Sequence, residues 1–583
     1  MKTSWDLTHL FKDVSLALEA EEELNKKIDT FLNEYEICLK NIDDFIEVLK
    51  LNLEINELLE RVYCYYKRHI DINSKDSNMK ENFNRALELL DQVDKCNQNY
   101  YAILYENEIL VRQFMEDEKL KFYSLYFERI FDKKEYVIDS NKQEDISNIN
   151  KLTNNIPSLY RHIIEDDIKY EMLMDEDGKE KKCSHTFTSK NREIRKQSYL
   201  KSRKSMKQFN YTLGFLFNLH AKAIISKAKI EGYNNPLEKV LINDELPLDF
   251  VEKVHNNVLN FVDVNHKYVK LMKEELGYSD FYVYDFSCPT LEYKKEYSLD
   301  EALQILKKIF NIFGKEYTKF IDQVFDEGWC DLYPKNGKRT DSVSMVVYSG
   351  VPYLLVNYKD DFNSLRCLCH ELGHTIHSAL AKQNQNFVYF EYNLFVAEIS
   401  SLVNEELLYS YLIENSEDDG ERLYFLKRRL FYHRNSLFGQ MNYSLFEKEV
   451  YDEIIKGKNL DATEINNIYL KYEKTLFGDD LILTEDDSYD WQNVTQFFVN
   501  EPFYMWKYTV DRSIAMHVHK LLKEDKKFVF EYMNFLRSGN SMKTTDLLKI
   551  LRINLDEMNF ITNAYTELEK EINQLKEKVK KTN

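Results

Sequence analysis

Only 14 glycines and 7 prolines interrupt 583 residues. These two residues end helices and turn chains, so a sequence this poor in them favours long, unbroken helices. The apolar pattern agrees. From about residue 15 to 130, charged residues alternate with Leu, Ile, Phe and Tyr at helical spacing. In IDDFIEVLKLNLEINELLERVYCYY, the side chains of Phe45, Val48, Leu49, Leu51 and Leu53 give one broad apolar face. No fixed repeat suggests a solenoid. The expectation is a mainly α fold.

Two stretches depart from this pattern. In KYEMLMDEDGKEKKCSHTF, an Asp177–Gly178 turn sits between two candidate strands, a hairpin near 170–187. Its acidic residues lack the spaced oxygen ligands of a calcium loop. The stretch DLYPKNGKRTDSVSMVVYSGVPYLLVNYKDD is rich in Val, Tyr and Gly and predicts two short strands, 343–348 and 352–357, around Ser349–Gly350. Between them, Thr188 or Ser189 is the expected cap of a helix with a basic run, read as a solvated face in preference to an anion patch. The C-terminal ELEKEINQLKEKVKKTN predicts a charged amphipathic helix that packs on the body.

A formal charge of −20 argues against a general nucleic-acid binder, which needs clustered Lys and Arg. No run of about 18 apolar residues occurs, so no membrane-spanning helix is expected. The N-terminal MKTSWDLTHLFKD has no apolar segment of a signal peptide, which places the expected protein in the cytoplasm. Eight cysteines are spread thinly, with no C-x-x-C pair. Cys367 and Cys369 point to different faces of a helix and read as reduced, buried residues.

The chemistry is concentrated in CLCHELGHTIH. His370 and His374 lie one helical turn apart, so both imidazoles can reach one ion without bending the backbone. Glu371 is rotated from them, where its carboxylate can sit beside a metal-bound water and act as a general base. Leu365, Leu368, Leu372 and Ile376 form the buried stripe, Asp360, Asp361 or Asn363 supplies the cap, and Gly373 permits close approach of a neighbour. His377 is about 10 Å of rise from His370, too far to share the ion, and is expected to be a neighbouring group. For the third ligand, FEYNLFVAEISSLVNEELLYSYL offers several carboxylates. Glu398 stands in an apolar-to-small run where a lone carboxylate needs a partner. Glu405 and Glu406 lie among polar neighbours and read as surface or supporting residues.

The segment NGKRTDSVSMVVYSGVPYLLVNYKDDFNSLRCLCHELGHTIHS, followed by FVAEISSLVNEEL, resembles the oligoendopeptidase F group of the thimet-oligopeptidase-like (M3) zinc peptidases. That family has a Gly-Lys-Arg turn, a Pro-Tyr strand ending in Asn, the H-E-L-G-H helix and an Ala-Glu pair opening the next helix. SWDLTHLF and DEDGKE extend the resemblance over nearly the whole chain. It implies a two-lobed helical metallopeptidase with a deep substrate channel and a small β-sheet beside the motif helix. Residues 1–195 would form an N-terminal helical lobe carrying the hairpin, and residues 196–583 the zinc metallopeptidase domain. His370, His374 and Glu398 would hold one Zn2+ per chain, with Glu371 the catalytic base. Short unstructured peptides are the implied substrates, with no nucleic-acid or membrane partner. The strand 352–357 would pair with a bound peptide by strand addition, or simply edge the sheet.

The chain departs from the family near its C-terminal end, where a His after a Trp is expected. Gln496 holds that position when Trp491 is the anchor, and Phe498 when Phe503–Tyr504 is. The family's Tyr-x-Tyr-x-Tyr run reads Tyr504, Trp506 and Tyr508. Tyr504 and Tyr508 share a helix face and can donate phenolic hydrogen bonds to an oxyanion, or serve as buried aromatics among 41 tyrosines. Two functions follow: an active zinc oligopeptidase, or a zinc-containing peptide-binding protein with weak or no catalysis.

Overall fold

The computed structural model describes residues 1–136, 140–499 and 501–582. The chain forms two compact units, each assembled from three segments.

The first unit comprises Met1–Glu135, Lys294–Leu408 and Val518–Arg552. Three long N-terminal helices, Val14–Glu34, Ile42–Ile72 and Ser77–Glu106, are opened by Asp13, Asn41 and Asp76, whose side chains accept from free backbone N–H groups of the first turn. Phe45, Val48 and Leu49 are buried together with Ile55 and Leu59, whereas Leu51 and Leu53 lie at the margin of the core. The buried stripe therefore keeps a stricter helical period than the broad face read from sequence.

A three-stranded sheet belongs to the same unit, ordered Cys330–Asp331, Tyr353–Leu355, Val343–Met345. The outer strands are parallel and antiparallel, respectively, to Tyr353–Leu355. Both strands read from sequence exist but are shorter, because Val347–Gly350 turns the chain early, with Gly350 N–H donating to Val347 O at 3.1 Å. The expectation that strand 352–357 accepts a peptide is corrected: Tyr353–Leu355 is the central strand, and its backbone groups are already paired on both sides. Lys338 anchors the sheet. Its buried ammonium donates to Asp331 O at 3.0 Å and Val356 O at 2.6 Å, and pairs with the Asp331 carboxylate at 2.7 Å.

The second unit comprises Tyr136–Tyr293, Tyr409–His517 and Ile553–Asn583. The expected hairpin is present, Met172–Met174 against Glu180–Lys182, with Gly178 at φ 73°, a left-handed conformation that glycine adopts freely. The helix Arg192–Lys207 is capped by Asn191, not by Thr188 or Ser189. Its basic run is largely neutralised. Lys201 and Lys204 pair with Glu171, Lys207 with Glu485, and Arg192 and Arg195 with Asp285. The core gathers Phe217, Phe446, Trp491, Phe497 and Phe498. The C-terminal helix Asn559–Thr582 packs on the body through a stripe that includes Ile561, Tyr565, Leu568 and Ile572. Tyr565 donates to Leu437 O at 2.8 Å.

All eight cysteines are free thiols. Cys367 and Cys369 contact different neighbours, the Ser342 hydroxyl and Asn404 O, as their spacing requires. Among the described residues no helix is long and apolar enough to cross a membrane.

Candidate metal centre

Two helices carry the site, and its residues lie within the first unit's middle segment. The first, Phe362–Asn384, starts at Asp361, whose side chain accepts from Ser364 N–H at 2.7 Å. Leu365, Leu368, Leu372 and Ile376 are fully buried and orient it. The second, Ala397–Glu414, crosses the first at Gly373. Ser400 donates its hydroxyl to Gly373 O at 3.2 Å, and Asn404 reaches Cys369 O at 3.4 Å. Tyr317 donates to Asn404 Oδ1 at 3.0 Å and fixes that contact from the far side.

The crossing brings Glu398, in the first turn of the second helix, against both histidines. Glu398 Oε2 lies 3.3 Å from His370 Nε2 and 3.4 Å from His374 Nε2. One donor atom from each residue lies within 4.8 Å of the others, and among the described residues this is the sole such group of three His, Cys, Asp or Glu side chains. Ser401 donates to the same Glu398 oxygen at 2.9 Å, which holds the carboxylate in place.

His370 carries a second contact. Its Nδ1 lies 3.0 Å from Glu405 Oε1, the same oxygen that accepts from Arg366 Nη1 at 2.6 Å. An Nδ1–H donated to Glu405 leaves the Nε2 lone pair facing Glu398 and His374, the tautomer a metal ligand needs. Burial disfavours a charged His370, yet hydrogen bonds with Glu398 and Glu405 outweigh it and hold the imidazole well above its ordinary pKa. Burial likewise opposes ionised Glu398, but the two histidines hold its carboxyl far below the usual range. Both shifts have the same cause: the carboxylates of Glu398 and Glu405 favour positive charge beside the point the three donors share. Two neutral imidazoles and a carboxylate suit a tetrahedral Zn2+ with one position left open. The donor set therefore fits a catalytic metal.

Glu371 is 7% exposed and is not one of the converging donors. Burial pushes its carboxyl above the ordinary value, while His370 and His374 pull the other way. Thr375 donates to Glu371 O at 2.8 Å and meets Ser344 of the outer strand Val343–Met345, also at 2.8 Å, so strand and helix run side by side at the motif. His377 is buried and stacks on Tyr392 at 3.8 Å. Burial drives its pKa down to about 3, so it is a neutral neighbour and not a ligand.

Sequence reasoning missed the depth of Glu405 and Glu406. Both are almost completely buried, because Ala397–Glu414 is covered on nearly every face. The signal available was spacing: Glu405 follows Glu398 by two helical turns, and Arg366 precedes His370 by one.

In the second unit, Tyr508 lies on the helix Met505–Glu524 with Tyr504 just before it. Their half-buried rings meet edge-on, 5.3 Å apart at 80°. Gln496 opens the short helix Gln496–Val499, while Phe498 is a core residue stacked on Tyr160 at 4.2 Å.

The sequence profile of peptidase family M3 matches residues 186–567. Over 98% of its length the chain is 26% identical to oligopeptidase PepF of Bacillus subtilis (strain 168), covering 87% of that protein. It is 25% identical to group B oligopeptidase PepB of Streptococcus agalactiae, over the whole chain and 98% of that relative. The solved structure of oligoendopeptidase-F from Enterococcus faecium shares the fold, with a TM-score of 0.73 at 20% identity over 97% of this chain and 100% of that one. The matched span holds both motif helices and well over half of the residues, and the chain belongs to peptidase family M3.

Proposed function

We propose that the protein is a zinc-dependent endopeptidase that hydrolyses oligopeptides, with His370, His374 and Glu398 holding one Zn2+. The observation that carries this reading is the meeting of three donor atoms beside a buried carboxyl, Glu371, that is not among them. The full-length relatives named as oligopeptidases support peptides as the substrate class. Eight unpaired cysteines support a reducing compartment, and we place the activity in the cytoplasm.

When bound, the ion polarises the scissile carbonyl and makes a water acidic near neutral pH. Glu371 is the general base. Its burial raises its proton affinity, which suits a group that takes a proton from water and hands it to the leaving amine. Glu405 keeps the His370 ring oriented throughout. Tyr504 and Tyr508 are the proposed phenolic donors to the carbonyl oxygen as charge builds there. The strand Val343–Met345 has a strand partner on one side only among the described residues, so a peptide can add along its open edge.

The second reading, a zinc-containing peptide-binding protein with weak catalysis, draws on one feature: Gln496 or Phe498 stands where the family resemblance calls for His. Cleavage of quenched-fluorescent peptides of varied length, with and without a chelator, separates the two. Cleavage lost both with chelator and in Glu371→Gln supports the peptidase. A folded, zinc-loaded protein that binds peptides without cleaving them selects the second reading.

A further inference from the structure

In the second unit, the helix Asn210–Ile230 and the helix Pro236–Asn243 are joined by a tight turn at Gly232, φ 96°. The faces they turn towards each other, closed over by Val499 and Pro502, line a cavity of about 320 Å³. Its polar groups are unevenly matched. Lys239 is satisfied by Glu231 at 2.5 Å. Lys227 has no carboxylate within ion-pair distance among the described residues. His220 Nε2 is buried and makes no hydrogen bond.

Lys227 and His220 lie two turns apart on one helix face, and helical side chains lean toward the N-terminus, so the lysine reaches back toward the imidazole. The two interact electrostatically: burial first, then the Lys227 charge, pushes His220 down to about 4. His220 is therefore a neutral ring that can present an N–H, and Lys227 an ammonium, across one small space. The carboxylates at the cavity are Glu231, which pairs with Lys239 and also attracts Lys227 from one turn away, and Glu501, exposed at the rim. Apart from Asn243, the rest of the wall is apolar, including Ile224, Ala228 and Val240. A strongly hydrated anion such as phosphate is poorly matched to such a wall, whereas an anionic head on an apolar body suits it.

We propose that this cavity binds a small carboxylate with a short apolar body, its carboxylate held between Lys227 and His220. Free apolar amino acids and short branched-chain acids share that chemistry. The site uses none of the residues assigned to peptide hydrolysis, and its occupancy is testable without any peptidase assay.

The test is calorimetric titration of the full-length protein with isovalerate, leucine, isovaleramide and inorganic phosphate at neutral pH. Saturable binding of isovalerate or leucine, with none of the amide, is expected. Tighter leucine binding assigns the site to free amino acids, and equal binding assigns it to carboxylates in general. Lys227→Met is expected to weaken binding about tenfold, as loss of a charge-assisted contact does, and His220→Phe severalfold. Circular dichroism confirms that both variants fold. Absence of saturable binding by either acid, equal binding of the amide, or unchanged affinity in Lys227→Met overturns the proposal.

Discussion

A methyl group added at Gly373 would fall 2.5 Å from the Cα of Ser401, so the two helices of the metal centre meet backbone to backbone. No side chain can give way there, and the helices must separate to admit even alanine. Glu398 lies one turn before Ser401, so separation draws the proposed third ligand away from His370 and His374. Gly373→Ala is expected to lose about 1–3 kcal/mol of stability, as overpacking does, and at least tenfold in zinc affinity. Thermal melting and chelator competition measure the two. Gly420→Ala is the control: its added carbon meets only a side-chain oxygen of Asp418, at 3.1 Å, and should change zinc affinity little.

Arg366 and His370 share one oxygen of Glu405, and each depends on that carboxylate differently. Glu405→Gln replaces a charged acceptor by a neutral one and loosens the ring whose other nitrogen faces the metal position. Zinc affinity should fall about 10- to 100-fold while the helices remain folded. Arg366→Met leaves a nearly buried carboxylate with one fewer donor, and should cost about 1–3 kcal/mol of stability. Equal zinc affinity in the parent and Glu405→Gln would remove Glu405 from the metal centre.

The helices and the motif were readable from local pattern, because a 3.6-residue period and an i, i+4 histidine pair need no knowledge of distant residues. Glu398 was readable for a different reason: a carboxylate in an apolar run must find a partner. What escaped depends on long-range neighbours. Tyr353–Leu355 became the central strand because the two-residue strand Cys330–Asp331, too short to announce itself, pairs on its free side. Glu405 and Glu406 read as surface or supporting residues; Glu405 supports His370, but the burial of both escaped because the elements that cover their helix come from elsewhere in the chain. Asn191 displaced Thr188 and Ser189 as cap because its side chain, not theirs, accepts from Glu193 and Ile194 N–H. The interleaving of three segments in each unit leaves no local trace at all.

Glu447 supplies a pH-dependent prediction. It is 2% exposed, and burial pushes its carboxyl up to about 8, against the pull of the Phe503 backbone. Between pH 4.5 and that value the folded chain holds a proton that the unfolded chain has released. Stability must then fall as pH rises through this window. Glu60 and Glu473, both also raised to about 8 mainly by burial, act in the same direction. Glu447→Gln keeps an acceptor for Phe503 and removes the ionisation. It should be more stable than the parent at pH 8 by about a few kcal/mol, with the gain shrinking towards pH 5. Urea melts at the two pH values decide it, and a gain independent of pH would contradict the assignment.

The edge-on contact of Tyr504 and Tyr508 makes their separate replacement informative. Phenylalanine keeps each ring and its volume, so a tyrosine that only fills space should lose little on losing its hydroxyl. A tyrosine that donates to the developing oxyanion should lose about 10²–10³-fold in kcat with KM nearly unchanged, because the contact strengthens as charge forms. Neither Gln496 nor Phe498 brings an imidazole, so the phenols carry this load in the proposed mechanism. Each single variant and the double variant are to be measured at saturating zinc. A double variant no worse than the worse single one assigns the contact to one hydroxyl. A double variant that loses much more shows that either phenol can serve when the other is gone. A loss confined to KM in all three moves both tyrosines from oxyanion stabilisation to peptide binding.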